Sequence, residues 1–246
     1  MTKAEIQFVR SLADKRVRDA EHLFVAEGDK LISEILSSGL RVRNIYALEG
    51  HFDGRAERVT AKEMERISQL KTASTSLAVV EQPRHKAPAK APADRLTLAL
   101  DGVQNPGNLG TIIRLADWFG VEDIFCSEDT ADCFNPKVVQ ATMGAILRVR
   151  VHYLKLADFL RSTAEGGVAV YGTMLDGDDI YDAKLQTNGV IVMGNEGKGV
   201  SAECANSFTH KLLIPAYPPE RQGSESLNVA MATGIVCAEF RRRTRG

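Results

Sequence analysis

Beyond residue 95 the chain carries six short apolar runs, at Leu96–Leu100, Asp123–Cys126, 149–153, 168–171, 190–193 and 212–214. Each is three to five residues long, a length and apolar content that suit strands buried on both faces. Between them lie segments with helical spacing at 109–119, 136–145 and 155–163, with a longer one from about residue 227 to 243. Strands that alternate with helices predict an α/β fold with a mostly parallel sheet covered on both faces.

The first eighty residues read as a separate, smaller α/β unit. Residues 4–13, 28–37 and 61–70 have helical periodicity, whereas 22–26, 43–48 and 76–80 read as strands. Between the two units, the stretch EQPRHKAPAKAPADR holds Pro83, Pro88 and Pro92 and no apolar period. Proline fixes φ and removes a backbone donor, so 83–95 reads as a semi-rigid linker between domains at 1–82 and 96–246. Both pieces are long enough to bury a core.

Composition narrows the classes. No apolar run approaches a membrane span, and the start MTKAEIQFVR lacks the apolar core of a signal peptide, so the reading is a cytoplasmic protein without membrane contact. Cys126, Cys133, Cys204 and Cys237 show no metal-like spacing, which predicts buried, reduced thiols and no metal site. The net charge of −1 gives nucleic-acid binding no support by itself. Its distribution is mildly uneven: residues 1–95 hold 17 Lys+Arg against 14 Asp+Glu, whereas the remainder holds 14 against 18.

Three polar islands follow apolar strands, where an α/β protein usually builds its site. In the first, DGVQNPGNLGTIIR, Asn108 is placed as a helix N-cap. Arg114 then falls among Ile112, Ile113 and Leu115, where it either pairs with Asp117 at i+3 or reaches for a phosphate or carboxylate. The second, GNEGKG at 194–199, lets a backbone approach a ligand closely, but it is neither a Walker A loop nor G-x-G-x-x-G. A plain strand-to-helix turn also accounts for it, with Glu196 in the first helical turn. The third runs from Ile214-Pro215 through a polar loop to Ser226-Leu227-Asn228. Ser226 can cap the last helix, while Asn228, a poor helix former, suggests a side-chain duty. The basic run over 241–245 suits a helix C-terminus.

Together the islands resemble the three signature motifs of the SpoU/TrmH family of RNA ribose methyltransferases, within the SPOUT superfamily. The match covers NPGNLGTIIRLADWFG, VIVMGNEGKGVS, and IP followed by SLNVAMATGIV, and Asn135-Pro136-Lys137 with Thr142-Met143-Gly144-Ala145 resembles the family's internal Gly-Ala helix. Residues 1–82 are similar to the RNA-binding module often fused ahead of it, through Lys15-Arg16-Val17-Arg18 and Phe24-Val25-Ala26-Glu27-Gly28. The resemblance implies a C-terminal α/β domain with a trefoil knot, and a homodimer. It further implies transfer of a methyl group from S-adenosylmethionine to a ribose 2′-hydroxyl of ribosomal or transfer RNA, with ribosomal RNA favoured. No metal is needed, because the sulfonium already makes the methyl electrophilic.

Carried over by position, Arg114 matches the arginine thought to engage RNA phosphate and assist deprotonation. Asn108 matches its partner, Glu196 the second motif's glutamate, and Ser226 with Asn228 the pair that orients substrate. Thr173, Leu175, Gly194, Asn195, Gly199, Ile214, Leu227 and Asn228 match positions that line the cofactor pocket. The loop before Ser226 is roughly four residues longer than the commonest family pattern, with Ala216 in place of a methionine and Arg221 as a candidate RNA contact. Two other functions compete: an RNA-binding protein of the same fold without transfer activity, and a dinucleotide oxidoreductase built on 194–199. The five polar site residues argue against the first, and the glycine order against the second.

Overall fold

The computed structural model describes residues 1–218 and 226–243. The chain divides into two compact units, Met1–Arg84 with Asp132–Leu147, and His85–Ala131 with Arg148–Gly246.

In the first unit, α1 (Lys3–Ser11) is followed by α2 (Lys15–Glu21), β1 (Leu23–Glu27), α3 (Asp29–Ser38), β2 (Val42–Ala47), β3 (Glu57–Arg58), α4 (Ala61–Ile67) and β4 (Ser76–Glu81). The sheet order is β1-β4-β2-β3, with β4 antiparallel to both neighbours. The period of two in a strand divides the core into two layers. Leu23, Val25, Leu77 and Val79 pack with Val9 of α1 and with Met64 and Ile67 of α4. Phe24, Ala26, Ala78 and Val80 pack with Ile32 and Ile35 of α3 and with Val139.

Val139 comes from the helix Pro136–Ala141 (α6), so 132–147 completes this unit's second layer. A buried charge fixes its start. Arg18 is 2% exposed, its Nη2 lies 2.6 Å from Asp132 Oδ2, and its Nη1 donates to the carbonyls of Leu12 and Ala13 at 2.8 and 2.7 Å. A guanidinium loses much solvation on burial, and this arrangement returns the hydrogen bonds. The helix expected over 136–145 stops at Ala141 because Met143 and Gly144 turn to φ 51° and 89°. A single 3-10 turn, Ala145–Leu147, follows.

The second unit contains β5 (Leu96–Leu100), α5 (Pro106–Trp118), β6 (Asp123–Cys126), β7 (Arg150–Tyr153), α7 (Leu156–Glu165), β8 (Val170–Asp179), β9 (Gly189–Met193), α8 (Ala202–Ala205), β10 (His210–Leu213) and α9 (Val229–Arg243). Its six strands run β10-β8-β9-β5-β6-β7, and every pairing is parallel, as the apolar runs predict. Ala99, Phe125, Val170, Val190 and Val192 pack on Leu156, Phe159 and Leu160 of α7. Phe240 of α9 meets the Tyr171 ring edge-on at 5.0 Å. Arg241 donates to the carbonyls of Phe119 and Gly120 at 2.6 and 3.0 Å, satisfying groups that the end of α5 leaves open.

Strand β8 departs from the expected 168–171. It pairs with β10 at Tyr171 and Gly172, then again only at Asp178 and Asp179, so residues 173–177 leave the ladder. All four cysteines are buried, and burial pushes the Cys237 thiol up to about 12 and the Cys204 thiol up to about 11.

The C-terminal arginines tie α9 to the chain before β9. Arg243 donates to the carbonyls of Ile180 and Tyr181 at 2.9 and 2.7 Å, and to that of Ala183. Arg242 and Arg243 also grip the buried Glu239 at 2.7–2.8 Å, and hydrogen bonding to Arg242 above all holds its carboxyl down at about 2. A depressed folded-state value means a contribution to stability that is present above the unfolded value of 4.5 and lost as pH falls through about 2. Glu239→Gln is therefore expected to lower stability by about 1 kcal/mol or more at pH 7. In urea titrations the gap to the wild type should close between pH 4.5 and about 2.

Candidate active site

Parallel pairing puts the C-terminal ends of all six strands of the second unit on one edge. Strands β5 and β9 are neighbours in full register, Leu96 opposite Gly189 and Leu100 opposite Met193. The chain leaving Leu100 and the chain leaving Met193 therefore emerge side by side, and the Asp101 amide still donates to the Met193 carbonyl at 2.9 Å.

The first island starts α5 earlier than the sequence reading placed it. Asn105 is the N-cap: its Oδ1 accepts from the Gly107 and Asn108 amides at 2.8 and 3.2 Å, with Pro106 beginning the helix. Asn108, expected to be the cap, instead sits inside the first turn with its own side chain free to reach outward. The Asn-Pro pair was the signal for this cap, since proline is favoured at the first helical position.

The second island is not a strand-to-helix turn. Asn195 and Gly199 close it by exchanging backbone hydrogen bonds at 2.9 Å each way, and α8 begins only at Ala202. Gly199 adopts φ 70°, and a Cβ on Gly194 would overlap the Gly199 carbonyl carbon. Glycine at 194 is thus required by the returning chain itself. The Asn195 side chain is fully used in shaping the loop. Its Oδ1 accepts from the Gly197 and Lys198 amides at 2.9 and 3.0 Å, and its Nδ2 donates to the Gly102 carbonyl at 2.6 Å. Asp101 adds a second tie, accepting from the Ser201 amide at 2.7 Å. No sequence pattern signals that contact, because its partner lies a hundred residues away.

The third island is also shifted. Asn228 caps α9, its Oδ1 accepting from the Ala230 and Met231 amides at 3.0 and 3.3 Å. Ser226, expected in that role, lies two residues before the cap and is exposed. Arg221 lies outside the described residues.

Three carried-over polar residues meet directly. Asn108 Nδ2 donates to Glu196 Oε1 at 2.8 Å, and Asn228 Nδ2 donates to Asn108 Oδ1 at 3.0 Å. A single hydrogen-bonded line thus joins the three islands. Arg114 is exposed on α5, and among the described residues it has no hydrogen-bond or ion-pair partner. The ordinary explanation for it fails, because Asp117 is taken by Arg148 in a two-pronged contact at 2.8–3.0 Å.

Around the same edge lie the positions carried over for a cofactor. Thr173 and Leu175 belong to the segment that leaves the β8 ladder; Thr173 Oγ1 donates to the Val192 carbonyl at 3.0 Å, and Leu175 is 73% exposed. Ile214 follows β10 half-buried, and Leu227 is 53% exposed beside Asn228. Exposed aliphatic side chains beside out-of-ladder backbone fit an adenosyl group, which offers a flat apolar face and polar edges. Among the described residues there is no cluster of three or more His, Cys, Asp or Glu arranged for a metal, and no helix is long and apolar enough to cross a membrane.

Residues 95–238 match the SpoU rRNA Methylase family, and residues 3–85 match the MRM3-like substrate binding domain. The chain belongs to the SpoU family. It is 30% identical to the 23S rRNA (guanosine(2553)-2′-O)-methyltransferase RlmP of Bacillus subtilis, over 94% of each chain. Among solved structures it is similar to a TrmH-family protein from Porphyromonas gingivalis, 39% identical with a TM-score of 0.87 over 99% of both chains. It is likewise similar to an AdoMet-bound rRNA methyltransferase from Sinorhizobium meliloti, 30% identical with a TM-score of 0.86 over 99% of this chain and 96% of that one.

Within this SpoU domain the Asn195 contacts explain why the loop keeps its shape. Asn195→Ala is expected to speed hydrogen exchange of the Gly197 and Lys198 amides by about tenfold or more. Amides in α7 should be unaffected, which mass spectrometry of exchanged peptides would check.

Proposed function

We propose that this chain transfers a methyl group from S-adenosylmethionine to a ribose 2′-hydroxyl of ribosomal RNA. What carries the reading is the line Glu196–Asn108–Asn228, with Arg114 exposed on α5 and without a partner among the described residues, within a domain of the SpoU family. Of the relatives named above, one is a 23S rRNA (guanosine-2′-O)-methyltransferase and another an rRNA methyltransferase, and the chain spans nearly the full length of both. Bound at the strand ends, S-adenosylmethionine supplies an electrophilic methyl on a sulfonium.

The residues of the chain then have positional and electrostatic work. Arg114, exposed and without a carboxylate partner among the described residues, holds an RNA phosphate and thereby the ribose next to it. Glu196 offers a carboxylate oxygen not used by Asn108, and Ser226 a hydroxyl, to substrate groups at the site. Gly194, Asn195 and Gly199 keep the second loop folded against β5, while Thr173, Leu175, Ile214 and Leu227 flank the adenosyl moiety. The N-terminal unit, similar to a substrate binding domain, holds RNA. The compartment that goes with this reading is the cytoplasm.

Two outcomes test the reaction. Calorimetry is expected to show S-adenosylmethionine binding to the purified protein. Arg114→Ala should lower transfer to ribosomal RNA by about a hundredfold or more while leaving cofactor affinity within about threefold. Unchanged turnover in that variant would remove Arg114 from the reaction.

We also propose that the protein is a homodimer, with a trefoil knot in its C-terminal unit. Helices α5 and α9 lie side by side, a Cβ at Gly234 falling 3.5 Å from Leu115. Their outer surfaces expose Trp118 at 83% and Met231 at 63%. Indole area of this size left in water favours a covering partner. A second copy covering Trp118 would also bring its own chain close to Arg114, one helical turn away. Trp118→Glu is expected to convert dimer to monomer in sedimentation equilibrium; a monomeric wild type would overturn the assignment.

A further inference from the structure

The two asparagines between α9 and Glu196 are ordered head to tail. Each amide has one acceptor end and one donor end, so a line of them has a direction. Two independent constraints set that direction here. At one end, the Ala230 and Met231 amides of α9 are donors, so they take the Asn228 oxygen and turn its nitrogen outward. At the other end, Glu196 is a carboxylate and accepts only, so it takes the Asn108 nitrogen and leaves its oxygen facing Asn228. Both constraints give the same arrangement, and no member of the line meets a like partner.

We infer that Asn228 and Asn108 are positioning residues that act through Glu196: the N-terminus of α9 sets their polarity and so delivers a donor to one oxygen of that carboxylate. Both ends of the Asn228 side chain are committed within the protein, to the helix and to Asn108. Its contribution to transfer passes along the line. The donor from Asn108 holds Glu196 Oε1 in place, leaving Oε2 to face the substrate. This assignment rests on the methyl-transfer reading for its kinetic consequences and on the hydrogen bonds alone for its structural ones.

Asn228→Asp separates capping from polarity. Aspartate caps a helix as well as asparagine does, so the thermal midpoint should stay within about 3 °C of the wild type. The outward nitrogen, however, becomes an oxygen facing Asn108 Oδ1. The Asn108 amide must then turn and set its oxygen against Glu196. Expected is a fall in kcat of about tenfold or more with KM for S-adenosylmethionine changed by less than about threefold. In a Glu196→Gln background the same substitution should cost nothing further, because glutamine donates to the turned amide. An equal loss in both backgrounds would overturn the inference, since it would mean that Asn228 acts independently of Glu196.

A second measurement is independent of turnover. In protein labelled with 15N-asparagine, the Asn108 side-chain amide protons should shift in Asn228→Asp and again in Glu196→Gln. Unmoved resonances in Asn228→Asp would overturn the relay even in an active enzyme. If the wild type transfers no methyl while those resonances do move, the relay stands and the methyl-transfer reading falls.

Discussion

Residues 189–193 pair in parallel with 96–100 along their whole length, and with 170–172 on their other side. That placement of β9 organises the second unit. Parallel strands share a direction, so everything that follows β5, β8 and β9 emerges at one edge of the sheet. Residues 101–108, 173–177 and 194–199 are far apart in sequence, yet each leaves the same three-strand stretch. Helix α9 is then fastened across the same unit by Arg241 on the end of α5 and by Arg243 on the carbonyls of 180 and 181. Its N-terminus thereby brings Asn228 to Asn108.

Much of the site consists of backbone that the protein's own side chains hold away from regular structure. Asn195 occupies the inside of its loop, and Asn105 the start of α5. Asn228 does the same for α9. These three asparagines free the groups that remain outward: Asn108, Glu196 and Arg114. The carboxylate of Asp117, which would have quenched Arg114, is itself held by Arg148. A guanidinium exposed to water and without a partner among the described residues suits a polyanionic substrate such as RNA.

How much was legible varied with the source of each signal. The central strands β5, β6 and β9 were readable because burial on both faces demands continuous apolar runs. The end of β8 was not, since residues 173–177 leave the ladder and Asp178 and Asp179 pair with β10 without apolar character. Helix α2, largely charged over Lys15–Glu21, has no apolar period and was missed. The assignment of 132–147 was also hidden: its link to the first unit depends on Arg18 and Asp132, 114 residues apart. The caps at Asn105 and Asn228 were each read a few residues away. Several polar residues near a helix start compete for that role, and geometry alone selects the one that caps.

The sequence by itself determined the fold class, the family and the three islands, because each is written in local apolar pattern or in contiguous motifs. It determined which side chains are present at the site. Tertiary structure alone decided how those side chains are spent: Asn195 and Asn228 on the protein's own backbone, Asn108 on Glu196, Asp117 on Arg148, and Arg114 on nothing within the described chain. The reason is that a hydrogen bond has a direction and a partner, and both are set by which chain ends the parallel sheet places side by side.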